Sequence, residues 1–282
     1  MPAPAISIIV PDCHESDSLA QCVDGFAAQT LARDRFELIL EDGETDPCAM
    51  RNAAVRRARS PVVVFFSCRL RPFPQLLDVC LQFHSAHPPI HHASLLCYAA
   101  DSIWRRLRPA PEKPGVQTWQ AFDWDALTAK TAIFEKAQFN PAYGCMAGAE
   151  LALRLSRRID LTLCYEPVIT AERVESMGLE EACEAHYLAA YHQYSLSRAY
   201  PGVVPYAPGE MVANNAELVA LLAAARELGR RAAQPDFAGR RMLDALRCRL
   251  EEHARAAGWK AAHDGKPPDL SAILGSRKPA GV

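Results

Sequence analysis

An open α/β sheet covered by helices on both faces, followed by a helical extension, is the fold class this sequence predicts. Short, near-continuous apolar runs recur at Ile6–Val10, Phe36–Leu40 and Val62–Phe66. Runs of that length suit strands buried on both sides. Helical patterns alternate with them. Leu19, Cys22, Val23 and Phe26 recur at helical spacing behind Asp17 or Ser18 as a cap. Residues 49–58 read as a second short helix with Arg56, Arg57 and Arg59 close to its exposed side. The order strand, helix, strand, helix, strand is that of a Rossmann-like sheet.

Residues 94–98 and 161–165 are weaker strand candidates, and the pattern changes after about Pro167. Residues 179–198 predict a helix, and the Pro/Gly-rich stretch 201–209 reads as a linker. Two amphipathic helices follow at 216–233 and 237–257, separated at Pro235. The tail, 260–282, carries Gly, Pro, Lys and Ser with little to bury and is expected to be loose. The expected organisation is an α/β domain over 1–175, a helical extension over 176–259 and a flexible tail over 260–282.

Bulk properties exclude several classes. A chain of 282 residues, 50% hydrophobic, supports one sizeable core plus a smaller attachment. A formal net charge of −2 gives no global attraction to nucleic acid, and none is expected as a partner. The apolar run after Met1 is too short for a leader or a membrane span, and no basic residues precede it. Ten cysteines form neither a regular framework nor a CxxC pair. Structural zinc is therefore not expected, and the default is a cytoplasmic protein with reduced thiols.

More specific signals lie at the strand ends. The first run closes on Pro11, and Leu19, Cys22, Gln29 and Thr30 follow. The second closes on Glu41, Asp42 and Gly43. Arg51-Asn52-Ala53, Ala58-Arg59, the third run and Pro72 come next. In this order and spacing they resemble the opening of the family-2 glycosyltransferases, whose GT-A fold is a Rossmann-like mixed sheet flanked by helices. Residues 134–155 resemble, more weakly, that family's acceptor-side segment, and Tyr165-Glu166-Pro167 resembles the Tyr-x-Pro after it. The resemblance covers roughly residues 4–175.

What it implies is a nucleotide or nucleotide-sugar held at the C-terminal strand ends, where open α/β sheets bind ligands. Pro11, Asp12, Glu41 and Asp42 fall at the positions that contact base and ribose, with Arg51 near the same pocket. The family's Asp-x-Asp turn, which holds a divalent metal on the diphosphate, should follow the third strand. Here Ser67, Cys68 and Arg69 stand in its place. A serine is a poor ligand for a hard cation and an arginine repels one, so no metal is expected there and no other cofactor is implied. Arg69 and Arg71 read either as direct phosphate donors or as solvated loop charges. The Glu-Asp pair that supplies the family's base aligns with Ala147 and Gly148, neither of which accepts a proton. Glu150 is the remaining candidate carboxylate, with a helix-surface or capping role as its alternative.

Other constellations carry competing readings. Asp123-Trp124-Asp125 is literally Asp-x-Asp but follows no apolar run, so an amphipathic turn with a packed Trp124 competes with a relocated metal site. His84, His87, His91 and His92 surround Pro88 and Pro89, which favours a polar surface loop over a transition-metal site. Cys13 and His14 are adjacent and would point apart on an extended segment, against a thiol–imidazole pair. Cys97, Cys145 and Cys164 read as small core residues.

The C-terminal patterns place Leu218, Leu221, Leu222 and Leu228 on one helix, and Phe237, Met242, Leu243, Leu246 and Leu250 on the next. Such spacing suits packing on the parent domain, a protein partner or a second copy of the chain. Between Arg226 and Arg255 eight arginines stand against five acids, which allows at most peripheral contact with anionic lipid.

Three functional readings result. One is a glycosyltransferase-like protein that binds a nucleotide or a partner with metal-dependent sugar transfer lost, as a pseudoenzyme or accessory subunit. The second is an active, metal-independent glycosyltransferase using a nucleotide-sugar donor. The third is a scaffold that binds protein through its C-terminal helices.

Overall fold

The computed structural model describes residues 3–11, 16–41, 46–89, 91–99, 114–174, 178–204, 215–232 and 240–269. In chain order these hold β1 (Ile6–Val10), α1 (Ser16–Ala27), β2 (Phe36–Leu40), α2 (Pro47–Arg57), β3 (Val62–Phe66), β4 (Leu70–Pro72) and α3 (Leu76–Ala86). There follow β5 (His92–Ala99), β6 (Gly115–Gln117), β7 (Ala126–Lys130), α4 (Ala132–Lys136), α5 (Ala147–Arg158) and β8 (Thr162–Arg173). The last helices are α6 (Leu179–Ala199), α7 (Asn215–Ala232) and α8 (Arg240–His263).

One mixed sheet runs in the order β2-β1-β3-β7-β5-β8-β4, with β6 also paired to β8. β1 is parallel to both β2 and β3, as the alternating strand–helix pattern requires. β7 runs antiparallel between β3 and β5, and β8 is parallel to β5. All five residues of β1 and of β3 are buried, which is why their sequences show no polar alternation. Successive side chains serve opposite faces of the sheet. Ile9, Val63 and Phe65 join Leu127, Leu151 and Leu155 on one side. Ile8, Val64 and Phe66 join Cys22, Phe26, Leu77 and Phe83 on the other.

α2 starts two residues earlier than its apolar pattern suggests, because Asp46 accepts from the Cys48 amide at 2.9 Å and Pro47 opens the helix. β8 is much longer than residues 161–165. Its register on β5 jumps from Leu95↔Tyr165 to Cys97↔Thr170, so Glu166 and Pro167 fall in a bulge and the ladder resumes beyond them. Pro167 has no amide to donate, which places the irregularity there.

The chain divides into two compact units, one ending at Ser176 and one beginning at Met177. In the second, α6 and α7 both pack against α8, around Cys183, Tyr187, Leu221, Leu222, Ala225, Leu250, Ala254 and Ala257. α8 does not stop near Ala257 but continues through Gly258 to His263. A Cβ on Gly258 would lie 2.0 Å from the Tyr187 carbonyl oxygen, so this glycine is where two helix backbones meet, not a terminating cap. Among the described residues no helix is long and apolar enough to cross a membrane.

Candidate functional site

The C-terminal ends of β1, β2 and β3 lie side by side, set by the parallel register Val10↔Leu40 and Ile9↔Phe65. Pro11 is buried at this edge. Asp12 and Asp42, the two acids the resemblance places on the nucleotide, lie outside the described residues, as do Cys13 and His14. Glu41 is nine-tenths buried and forms an ion pair with Arg57 at 2.5 Å. That contact joins the end of β2 to the last turn of α2, so this carboxylate already has a cationic partner.

The loop after β3 is a tight turn. Ser67 Oγ accepts from the Arg69 amide at 3.3 Å, and the Leu70 amide donates to the Ser67 carbonyl at 3.0 Å. Cys68 is 7% exposed and disulfide-bonded, so the expectation of wholly reduced thiols fails at this position. The Arg69 carbonyl accepts from the Val174 amide at 3.0 Å. Arg71 reaches across the β4–β8 ladder to Glu172, both half-exposed. No carboxylate is carried by this loop.

Across the ladder from the loop comes the Asp123-Trp124-Asp125 turn. It does precede a strand, β7, and the Ser67 amide donates to the Asp125 carbonyl at 2.8 Å. The literal Asp-x-Asp therefore sits beside the position from which the family's motif is missing. Asp123 Oδ1 accepts from the Asp125 amide at 3.0 Å, closing the turn. The Asp125 carboxylate is paired with Arg51 from α2. Arg51 is only 4% exposed, its guanidinium carbon lies 4.1 Å from the centre of the Trp124 ring, and it donates to the Pro47 carbonyl at 3.1 Å. Its Nε is buried with no hydrogen-bond partner.

Trp124 also closes the place expected for the catalytic base. Ala147 is fully buried at the start of α5. A Cβ on Gly148 would stand 3.3 Å from both Trp124 Cβ and a Phe122 ring carbon. Even a Cβ there would need both aromatics to give by a few tenths of an ångström. Glu150, one turn on, is 2% exposed and receives two parallel hydrogen bonds from Arg154, at 2.8 and 2.9 Å. Arg154 donates a further bond to the Gln138 carbonyl at 2.6 Å. The arrangement is a buried i, i+4 ion pair that braces α5 against the segment before it.

The histidine cluster differs from a surface loop. α3 extends to Ala86, so His84 lies on its inner face, 3% exposed, with Nε2 at 2.9 Å from Thr128 Oγ1. Burial, reinforced by Lys130, His87 and His92, pushes its pKa down to about 3. His87 and His92 stack at 5.4 Å. Among the described residues no three His, Cys, Asp or Glu side chains are grouped to hold a metal ion. Cys145 and Cys164 are half-buried, and burial followed by the Glu166 charge raises the Cys164 thiol's pKa. A hollow of about 390 Å³ in the helical unit is lined by Tyr194, Ser197, Arg198, Val204 and His263.

Sequence reading expects Arg51 near the nucleotide pocket and offers Asp123-Trp124-Asp125 as a turn with a packed Trp124; what it does not reveal is that Arg51 pairs with Asp125 over that ring. The one visible signal of that group is an Asp-x-Asp whose middle residue is a large aromatic.

No protein-family model and no curated protein matches the sequence. Solved structures do match. A mannosyltransferase from Pyrobaculum calidifontis, solved in complex with GDP-Man and Mn²⁺, aligns over 94% of this chain and 89% of its own, with TM-score 0.61 and 16% identity. TarS from S. aureus aligns over 93% of this chain with TM-score 0.52 and 12% identity. This chain spans 55% of that longer one. The mixed sheet and its flanking helices are thus those of the GT-A glycosyltransferase fold.

Proposed function

We propose that this chain is a family-2 glycosyltransferase-like protein that binds a nucleotide or nucleotide-sugar at the β1–β2 strand ends and has lost metal-dependent sugar transfer. It acts as a pseudoenzyme or accessory subunit. The observation that carries this reading is the packing of Gly148 against Trp124 and Phe122. Where a deprotonating carboxylate would have to stand, the protein has aromatic core. The loop after β3 supports the same reading, since Ser67, a disulfide-bonded Cys68 and Arg69 do not fit a divalent ion. Asp12, Glu41 and Asp42 are assigned to base and ribose, and Arg69 and Arg71 to the diphosphate, for which Arg71 would exchange Glu172. Binding of GDP-Man by the Pyrobaculum mannosyltransferase, which shares this fold, is consistent with a nucleotide-sugar as the ligand.

A thermal-shift screen of nucleotides and nucleotide-sugars, each with Mn²⁺ and with EDTA, tests this when joined to a nucleotide-release assay. The expected result is a melting temperature raised by at least one nucleotide, equally with metal and with EDTA, without release above background. Metal-dependent release at ordinary enzyme rates would overturn it. EDTA-insensitive release that collapses in Arg69→Ala would replace it with a metal-independent transferase. If no nucleotide shifts the melting temperature, nucleotide binding falls and a scaffold role remains.

A further inference from the structure

The helical unit has a hollow of its own. Tyr194, Ser197 and Arg198, near the end of α6, meet His263, the last residue of α8, around it. The chain leaves α6 in a tight turn, in which the Tyr200 carbonyl accepts from the Val203 and Val204 amides at 3.2 and 3.3 Å. Gly202 in that turn takes a φ of 78°, and a Cβ on it would meet nothing within 4 Å. The space left is about 390 Å³, the size of a small-molecule site.

Its walls differ in chemistry. Val204, which is buried, and the Tyr194 ring supply apolar surface. Trp259 meets Tyr194 edge-on at 4.5 Å and stacks with His263 at 6.1 Å, so a third ring holds both lining rings. Ser197 is more than nine-tenths buried, and its hydroxyl donates to the Tyr194 carbonyl at 2.8 Å, which leaves its oxygen to accept. His263 Nδ1 lies 3.3 Å from the Asp264 carboxylate, so Nε2 is the ring nitrogen left for a ligand. Arg198 is exposed and has no carboxylate partner among the described residues. Two helix C-termini would by themselves disfavour an anion here. Their last carbonyls are occupied, however. That of Leu196 accepts from the Tyr200 amide at 2.9 Å, and those of Lys260, Ala261 and Ala262 accept from the turn beyond α8. Asp264 is also paired with Lys260 at 3.3 Å. The whole charge of Arg198 therefore outweighs the fractional charge of each helix end.

We propose that this hollow is a second ligand site and that it takes a sugar phosphate, a small polyhydroxylated ring carrying one phosphate monoester. Arg198 pairs with the phosphate, for which its planar fork of N–H donors is suited. Ser197 Oγ and His263 Nε2 accept from sugar hydroxyls, while Tyr194 and Val204 cover the C–H surface of the ring. An inorganic anion leaves the apolar wall unfilled, and a neutral sugar leaves the guanidinium without a counter-charge. A carboxylate on the same ring brings a single charge where phosphate brings nearly two. The inference goes beyond nucleotide binding at the strand ends and does not rest on it, since every residue involved belongs to the helical unit.

The test is calorimetric titration of the full chain, without nucleotide, by glucose 6-phosphate and ribose 5-phosphate, paired with tryptophan fluorescence. Wild type should bind at least one of them saturably, with a change in emission, because Trp259 touches both lining rings. The parent sugar, inorganic phosphate and glucuronate should each bind at least about tenfold more weakly. Arg198→Gln should weaken sugar-phosphate binding by at least about tenfold, the effect of losing a charge-assisted contact. Trp259→Phe should keep the binding and lose the emission change. If circular dichroism shows Arg198→Gln unfolded, Arg198→Met replaces it under the same criteria. The proposal is overturned if neither sugar phosphate binds, or if any of the three partial ligands binds as tightly. It is also overturned if a folded Arg198 variant binds unchanged, the result expected of a ligand held at the strand ends. A failed nucleotide screen leaves all of these outcomes untouched.

Discussion

In the α/β unit the centre of the sheet is filled by large rings, whereas in the helical unit the same task falls to small side chains. Phe65 is fully buried and meets Phe134 edge-on at 5.2 Å and Phe139 at 5.5 Å. Phe26 and Phe66 do the same on the other face at 4.9 Å. The helical unit places Ala254, Ala257 and Gly258 on α8 where α6 approaches, with Tyr187 as the main aromatic of that core. A sheet sets its helices about 10 Å away and leaves room that only bulk can fill. Two helices can close until their backbones touch, and then bulk is what must be absent. The two units should therefore respond oppositely to changes in side-chain size.

The largest effect is expected from deletion in the first unit. Phe65→Ala leaves a cavity beside the Phe134 and Phe139 rings and should cost about 3–5 kcal/mol in urea denaturation followed by circular dichroism. Enlargement in the second should come next. Gly258→Ala puts a methyl 2.0 Å from the Tyr187 carbonyl and should cost about 3 kcal/mol, at the upper end of overpacking penalties. If Gly258→Ala proves neutral, close helix approach is not what holds α6 to α8.

The smallest effect is a pH dependence confined to the first unit. The unfolded chain protonates His84 near 6.5, while in the folded state burial keeps it neutral down to about 3. Protons then favour the unfolded chain. The stability this residue contributes is complete above about pH 6.5 and is lost progressively from there toward pH 3. Between pH 7 and pH 5 the loss should be about 2 kcal/mol. His84→Gln, whose amide can still reach Thr128, should remove that part of the acid sensitivity. An unchanged pH profile in this variant would mean that other groups carry it.

Much of the α/β unit was legible because doubly covered strands are written as uninterrupted Ile, Val and Phe. The bounds of β1, β2 and β3 coincide with their apolar runs. β7 was not legible. Ala126–Lys130 is mostly alanine, threonine and lysine, and it becomes a strand because β3 and β5 flank it, not through its own preference. His84 was misplaced because Pro88 and Pro89 suggested an early stop, yet they lie beyond the helix end at Ala86 and cost it nothing. Gln29 and Thr30, part of the recognisable pattern, turn out to be scaffold. The Gln29 amide nitrogen donates to the Gly25 and Phe73 carbonyls at 3.1 and 2.8 Å, and its oxygen accepts from the Leu77 amide at 3.1 Å. Such residues preserve the resemblance independently of any chemistry at the cleft. The cleft itself was legible only as a list of missing acids. What replaced them depends on contacts such as Arg51 with Asp125, which no local spacing encodes.

The two ends of the sheet have a bearing on colloidal behaviour. The strand path terminates in β2, five residues long, and β4, three residues long, among the described residues. β4 carries charged Arg71 and ends on Pro72, which has no amide to offer a neighbour. β2 carries Glu37, whose carboxylate is tied up by Ser7 and Arg59. An incoming strand from another molecule would find few open amide and carbonyl groups and an immobilised charge. Concentrated solutions of this protein should consequently resist growth of intermolecular β-structure, even though the strands at the centre of the sheet are among its most apolar segments.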